Sequence, residues 1–288
     1  MLRQRLPIGI SLILVLMAML WVDGKTAPYH LIWISLVTGL SILAALELIE
    51  LLNQSIAKPY GKLMTACAAA CLSANGFSGP LGLDGYTAFS PLAIVFGFCI
   101  LAILITGVSD FDEVHPVMPR LAATVFGVSY IGILGSFLTQ LRFFHGPTNG
   151  IIALALVIGV TKGTDTGAYT FGKLFGRHLM TPKLSPKKTW EGVAGGLLFA
   201  MLMAQIITTL EFAFLGQTTL DSIPIRLLFA LTVSIAGQIG DLAESLIKRE
   251  AHLKDASKVI PGFGGVLDLI DSLLLSAPVG WAILTILS

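Results

Sequence analysis

Charge is scarce in this chain. Only 12% of its 288 residues are Asp, Glu, Lys or Arg, about half the share that a soluble domain carries. A water-facing surface cannot be made from so few, and with 55% of residues hydrophobic a disordered chain is excluded as well. Cysteine is scarce too. Cys67, Cys71 and Cys99 are odd in number and lie in apolar runs, which argues against a disulfide framework or a zinc site and for packed small residues. The five histidines (His30, His115, His145, His178, His252) lack ligand spacing and form no evident Ser/His/Asp relay; they read as solvated or interfacial. A net charge of +1 gives no support to nucleic-acid binding, and no dinucleotide-binding motif is present. What remains abundant is apolar sequence, with a mean hydropathy of +0.86. The expectation is an all-α, polytopic membrane protein.

A membrane-spanning helix needs about 20 mostly apolar residues. On that measure nine spans are expected, near 6–22, 30–52, 62–78, 87–107, 118–140, 149–171, 192–213, 224–246 and 266–287. The first resembles a signal peptide in having Arg3 and Arg5 before a short apolar run. No small-x-small cleavage site precedes Trp21-Val22-Asp23, so it reads as a helix. Pairs such as Gly195-Gly196 read as close helix contacts rather than ligand loops. With the N-terminus in the cytoplasm, 15 of the 18 Lys and Arg residues fall on the inner side and only Lys25, Arg142 and Arg226 outside, as the positive-inside rule requires. Residues 1–148 then form an N-terminal region of about five spans, and 149–288 a catalytic region of about four. Two cytoplasmic loops, Lys162 to Glu191 and Lys248 to Lys258, carry most of the basic residues of that region. Anchoring to anionic headgroups would account for the charge alone.

Acidic residues appear where lipid should be. The apolar run Ile151–Val160 is too short to cross unless the span absorbs TKGTDTGAYTFG (161–172), which carries Lys162 and Asp165 inward. Asp241, Glu244, Ser245 and Lys248 are spaced i, i+3, i+4, i+7 and share one helix face. Asp268 and Asp271 fall in the first turns of the last span. Charges inside a bilayer are costly and face a protein interior or water, and carboxylates gathered from three helices suit Mg2+. The alternative is helix-to-helix hydrogen bonding or ion pairing with Lys162 or Lys248. Beside the acids, SPKKTWEG (185–192) puts Lys187 and Lys188 before a helix start, with Thr189 as its cap, an arrangement suited to polyphosphate. PGFGG (261–265) opens the last span, where Gly264 and Gly265 let the backbone approach a ligand closely. Metal-binding acids, lysines and a membrane-embedded cleft point to phosphoryl or nucleotidyl transfer on a lipid.

The segment SLIKREAHLKDASKVIPGFGGVLDLID (245–271) resembles the signature of the phosphatidate cytidylyltransferases, S-x-x-K-R-x-x-x-x-K-D followed by P-x-H-G-G-x-x-D-R-x-D. Ser245, Lys248, Arg249, Lys254, Asp255, Pro261, Gly264, Gly265, Asp268 and Asp271 fall in register. GQIGDLAES and DTGAYTFGKLFGRH…SPKKTWEG are also similar to that family. Phe263 stands where the family has histidine, and Leu269 where it has arginine. The resemblance implies that CTP and phosphatidic acid react to give CDP-diacylglycerol and pyrophosphate, in a homodimer of the bacterial inner membrane with its active site facing the cytoplasm. It implies a divalent metal held by Asp241 and Asp268, with Asp271 and Asp165 as nearby ligands or support, and a second, monovalent cation such as K+. Lys187, Lys188, Lys248 and Lys254 would hold the triphosphate and the lipid phosphate, in a substrate site that also takes in Ser185 and Arg249. Two rival readings are a CTP-dependent kinase of polyprenol or phytol type, which would release CDP, and a transporter using the carboxylates as an ion site.

Overall fold

The computed structural model describes residues 15–54, 57–83, 87, 89–112, 116–253, 257 and 264–287. Apolar sequence in lipid satisfies its backbone only within helices or closed barrels, and the described residues are mostly helical. The helices are α1 (Val15–Gly24, its described part), α2 (Leu31–Asn53), α3 (Gly61–Ala74), α4 (Ser90–Ser109), α5 (Val117–Gly127), α6 (Leu134–Arg142), α7 (Pro147–Phe175), α8 (Trp190–Leu215), α9 (Ile223–Glu250) and α10 (Val266–Leu287). A π-helical turn, Val128–Ile133, joins α5 to α6, so that Val117–Arg142 runs as one span. Among the described residues seven helices are long and apolar enough to cross a membrane. At 14 residues α3 is shorter than that, although a 3-10 turn at Asn75–Phe77 continues it. The chain is therefore an all-α membrane protein of multi-pass type.

One exception to the all-helical pattern lies in the first basic loop. Strands β1 (Leu179–Thr181) and β2 (Ser185–Thr189) form an antiparallel hairpin, with Leu179 opposite Thr189 and Thr181 opposite Ser185.

The chain divides into two compact units. The first comprises the described residues of Met1–Thr148 and Asp255–Leu269, and the second comprises Asn149–Lys254 and Ile270–Ser288. In the first, α3 packs against α2, α4, α5 and α6. Cys67, Cys71 and Cys99 are free and buried there, as expected. The expectation for His30 fails: its ring is only 3% exposed and lies 3.0 Å from Asp23 Oδ2. Asp23 is held equally closely by Arg142, whose Nε donates to Oδ2 at 2.9 Å and whose side chain is fully buried. A histidine at the end of a helix reads as solvated; here a carboxylate and a guanidinium from distant sequence draw it inward. Burial, then the neighbouring Arg142 cation, push its pKa below the ordinary value despite Asp23.

In the second unit the helices meet backbone to backbone. A Cβ at Gly167 or Gly195 would run into the facing helix of the α7–α8 pair, so the Gly195-Gly196 pair is a close helix contact as its sequence predicts. Buried hydroxyls complete the packing. Thr161 Oγ1 donates to Ser276 Oγ, and the Thr164 and Ser234 hydroxyls bond to each other, both at 2.9 Å.

Candidate active site

The polar stretch TKGTDTGAYTFG is helical throughout, inside the 29 residues of α7. It brings Lys162 and Asp165 to the same region of the second unit as the polar end of α9 and the first part of α10. Asp241, Glu244 and Asp271 each turn a carboxylate oxygen into a group within 4.8 Å of one another. Glu244 and Asp271 are buried and Asp241 is partly exposed. Ser272 extends the group, its Oγ lying 2.9 Å from Asp271 Oδ1 and 3.4 Å from Asp165 Oδ2. The meeting of α9 and α10 is set by Gly240. A Cβ there would lie 2.6 Å from the Asp271 carbonyl oxygen and 3.1 Å from the Ser272 Cα. Only a glycine lets the backbone carrying Asp241 come this close to the backbone carrying Asp271.

Three lysines face these acids. Lys188 Nζ is 2.8 Å from Asp241 Oδ2, Lys162 Nζ is 3.0 Å from Asp165 Oδ2, and Lys248 pairs with Glu244 one helical turn away. The ion pairing weighed for Lys162 and Lys248 therefore forms, and it coexists with the acid group. The hairpin presents Lys188, which is the inward member of its pair; Lys187 is exposed. Thr189 caps α8, its Oγ1 accepting from the Gly192 N–H at 3.1 Å, as the sequence predicts. Glu191 accepts from the backbone N–H groups of Arg177 and His178 and lies 2.6 Å from His178 Nδ1. Arg249 Nε donates to the Leu184 carbonyl in the hairpin turn at 3.1 Å. Ser185, the first residue of β2, is half-buried.

The opening of α10 belongs to the first unit. Gly264 has φ +96°, a conformation that favours glycine. The Gly265 N–H donates to Asp268 Oδ2 at 2.7 Å. The next two N–H groups, of Val266 and Leu267, donate to Glu47 Oε1 and Oε2 at 3.0 and 2.7 Å. The close approach that the glycine pair permits is thus made here by two of the chain's own carboxylates.

Of the residues singled out in the sequence, the second unit brings together Asp165, Asp241, Asp271, Lys188 and Lys248. Arg249 ties the hairpin to α9, while Asp268, Gly264 and Gly265 form the start of α10. Lys254 and Phe263 lie outside the described residues. Leu269 is half-buried in the first turn of α10. Sequence reasoning placed Glu244 on the correct face without giving it to the metal, and it missed Ser272 and Glu47. For Glu244 the i+3 spacing from Asp241 was the available signal; Glu47 had none, because its partners are some 219 residues away.

A family model described as the cytidylyltransferase family matches residues 3–287. The phosphatidate cytidylyltransferase of Mycobacterium bovis is 29% identical over 289 residues, covering 99% of this chain and 89% of that protein. Those of Bacillus subtilis and Haemophilus influenzae are 35% and 40% identical over 186 and 138 residues. The B. subtilis match covers 65% of this chain and 64% of the relative; the H. influenzae match covers 48% and 47%. These similarities favour nucleotidyl transfer over the kinase and transporter readings, and with a match from end to end the chain belongs to the cytidylyltransferase family.

Proposed function

We propose that this protein transfers the cytidylyl group of CTP to phosphatidic acid, giving CDP-diacylglycerol and pyrophosphate. The observation that carries the reading is the meeting of Asp241, Glu244 and Asp271, with Lys188 against Asp241, in a membrane-helical chain of this family. An oxygen of the lipid phosphate attacks the α-phosphorus of CTP; the new P–O bond forms as the bond to the bridging α–β oxygen breaks, and pyrophosphate leaves with that electron pair. The attacking phosphate is already an anion, so the protein supplies no nucleophile. Its work is alignment and charge neutralisation.

The donor set fits a divalent cation. All three groups offer hard carboxylate oxygens, lying within 4.8 Å of one another, the donor type that Mg2+ takes. When bound, the ion supplies neutralisation and orientation of the triphosphate. Asp241, Glu244 and Asp271 would hold it, with Ser272 hydrogen-bonded between Asp271 and Asp165. Asp268, which the resemblance gives to the metal, accepts the Gly265 N–H at Oδ2 and keeps acceptor sites that would serve a cation. Lys188 and Lys248, which pair with Asp241 and Glu244, would be available to the phosphates of the substrates, with Lys187 and Lys254 adding to the same anion site. The reading extends to Mg2+ with a monovalent cation such as K+, to a homodimer, and to an inner-membrane setting with the acid group facing the cytoplasm, supported by the distribution of Lys and Arg.

The test uses purified protein in detergent–phosphatidate micelles with Mg2+ and CTP labelled at the α-phosphate. Label extracted with lipid, alongside equimolar pyrophosphate, is the expected result. Label left as CDP would indicate γ-phosphate transfer to a lipid alcohol and end the proposal. No movement of label beside an active control would count against the proposal and point to Phe263 and Leu269 as disabling.

A further inference from the structure

We infer that Glu47 is a positioning residue for the acid group: its carboxylate fixes where α10 begins, and through that helix it sets Asp271. The inference rests on the proposed metal role of Asp271. A helix leaves its first N–H groups without partners inside the helix, and a side chain from the same turn usually meets them. In α10 the local residue Asp268 meets the Gly265 N–H. The N–H groups of Val266 and Leu267 go to a glutamate from α2, whose side chain is buried at 6% exposure and uses both oxygens. Oε1 also accepts from Ser257 Oγ at 2.6 Å. The partial positive charge of the helix N-terminus favours a carboxylate there.

The fit leaves little latitude. Gly265 has no Cβ because Glu47 Oε2 occupies its place. An Asp at position 47 is one methylene shorter and cannot span two successive N–H groups while reaching Ser257. A Gln has one acceptor oxygen, and its amide N–H2 would face a backbone N–H. Asp271 lies four residues beyond Leu267, about one turn of the same helix. Fixing Val266 and Leu267 therefore fixes both the height and the rotation at which Asp271 leaves the helix, while freeing the first turn loosens both.

The experiment compares wild type with Glu47→Gln and Ser257→Ala, all as full-length protein in detergent. Hydrogen–deuterium exchange follows the amides of 264–268, and electron paramagnetic resonance follows binding of Mn2+. Glu47→Gln is expected to speed exchange in that first turn and nowhere else, and to weaken Mn2+ binding about tenfold or more, as loss of a group that orients a ligand does. Ser257→Ala removes one donor to Oε1 and should shift both readouts the same way by less. If Glu47→Gln binds Mn2+ as tightly as wild type, Glu47 has no positioning role. Exchange raised evenly over the whole chain would make its effect one of general stability and also overturn the inference. Should Glu47→Gln not fold, unchanged Mn2+ binding in Ser257→Ala overturns it as well. Wild type that binds no Mn2+ would instead remove the metal reading itself.

Discussion

The two units differ in whether their acids stand apart or gather. In the first, each buried acid has specific partners: Asp23 is met by Arg142, His30 and the Trp33 N–H, and Glu47 by two backbone N–H groups and a hydroxyl. In the second, Asp165, Asp241, Glu244 and Asp271 are brought together by three helices, and the lysines facing them sit at the edges. Like charges gathered in one place repel one another, and here three lysines offset them. The first arrangement holds helices together, and the second is suited to holding a cation.

That comparison can be broken from either side. Removing a cation from the first unit should cost stability. Arg142→Ala leaves Asp23 buried without its guanidinium, a loss of about 3–5 kcal/mol, visible as a large fall in the midpoint of thermal unfolding in detergent; Asp23→Asn added to Arg142→Ala should recover part of it. Removing an acid from the second unit should cost activity instead. Asp241→Ala is expected to lower kcat by about 10²–10³ with the unfolding midpoint held, measured in phosphatidate micelles; full activity in that variant would end the metal assignment. Gly240→Ala tests the link between packing and site, since its methyl meets main chain that cannot step aside. About 1–3 kcal/mol of overpacking should appear in thermal unfolding, together with weakened Mn2+ binding.

A smaller effect sharpens the first side. Burial lowers the pKa of His30, so the unfolded chain takes up its proton before the folded protein does. The stability it contributes is complete above about pH 6.5 and falls as pH drops below that, towards the lowered folded value. His30→Gln should flatten the wild-type decline in unfolding midpoint between pH 7.5 and 5.5. The smallest change belongs to Lys183→Ala: Lys183 is exposed in the hairpin turn, and activity should stay near that of wild type.

Much of this was legible in the sequence because it depends on local spacing. The shared face of Asp241, Glu244 and Lys248, the Thr189 cap, and the need for α7 to absorb Lys162 and Asp165 all follow from helical periodicity and length. The hairpin was not legible, since three- and five-residue strands in a basic loop bury too little to leave a pattern. Lys187 and Lys188 are equivalent in sequence; the hairpin turns one inward. The Asp23–Arg142 pair joins residues 119 apart, and Arg142 at a helix end reads as a solvated charge. The role of Glu47 was illegible for a related reason, because a glutamate inside α2 shows no partner until distant sequence is in place.

The contact at Gly240 carries a consequence for precision. Where two helices touch through side chains, the gap between them depends on rotamers that interconvert, and a site built across the gap inherits that spread. Here the main chain beside Asp241 rests against the main chain of Asp271 and Ser272, so the separation of the two Cα atoms has almost no rotamer entropy left to lose. If a cation binds there as proposed, reorganisation would be confined to the carboxylate torsions, a form of preorganisation. Residues on the outer faces of α9, such as Ile235 and Ile239, which are 48% and 50% exposed, are then free to exchange among apolar side chains without altering the spacing at the reacting end.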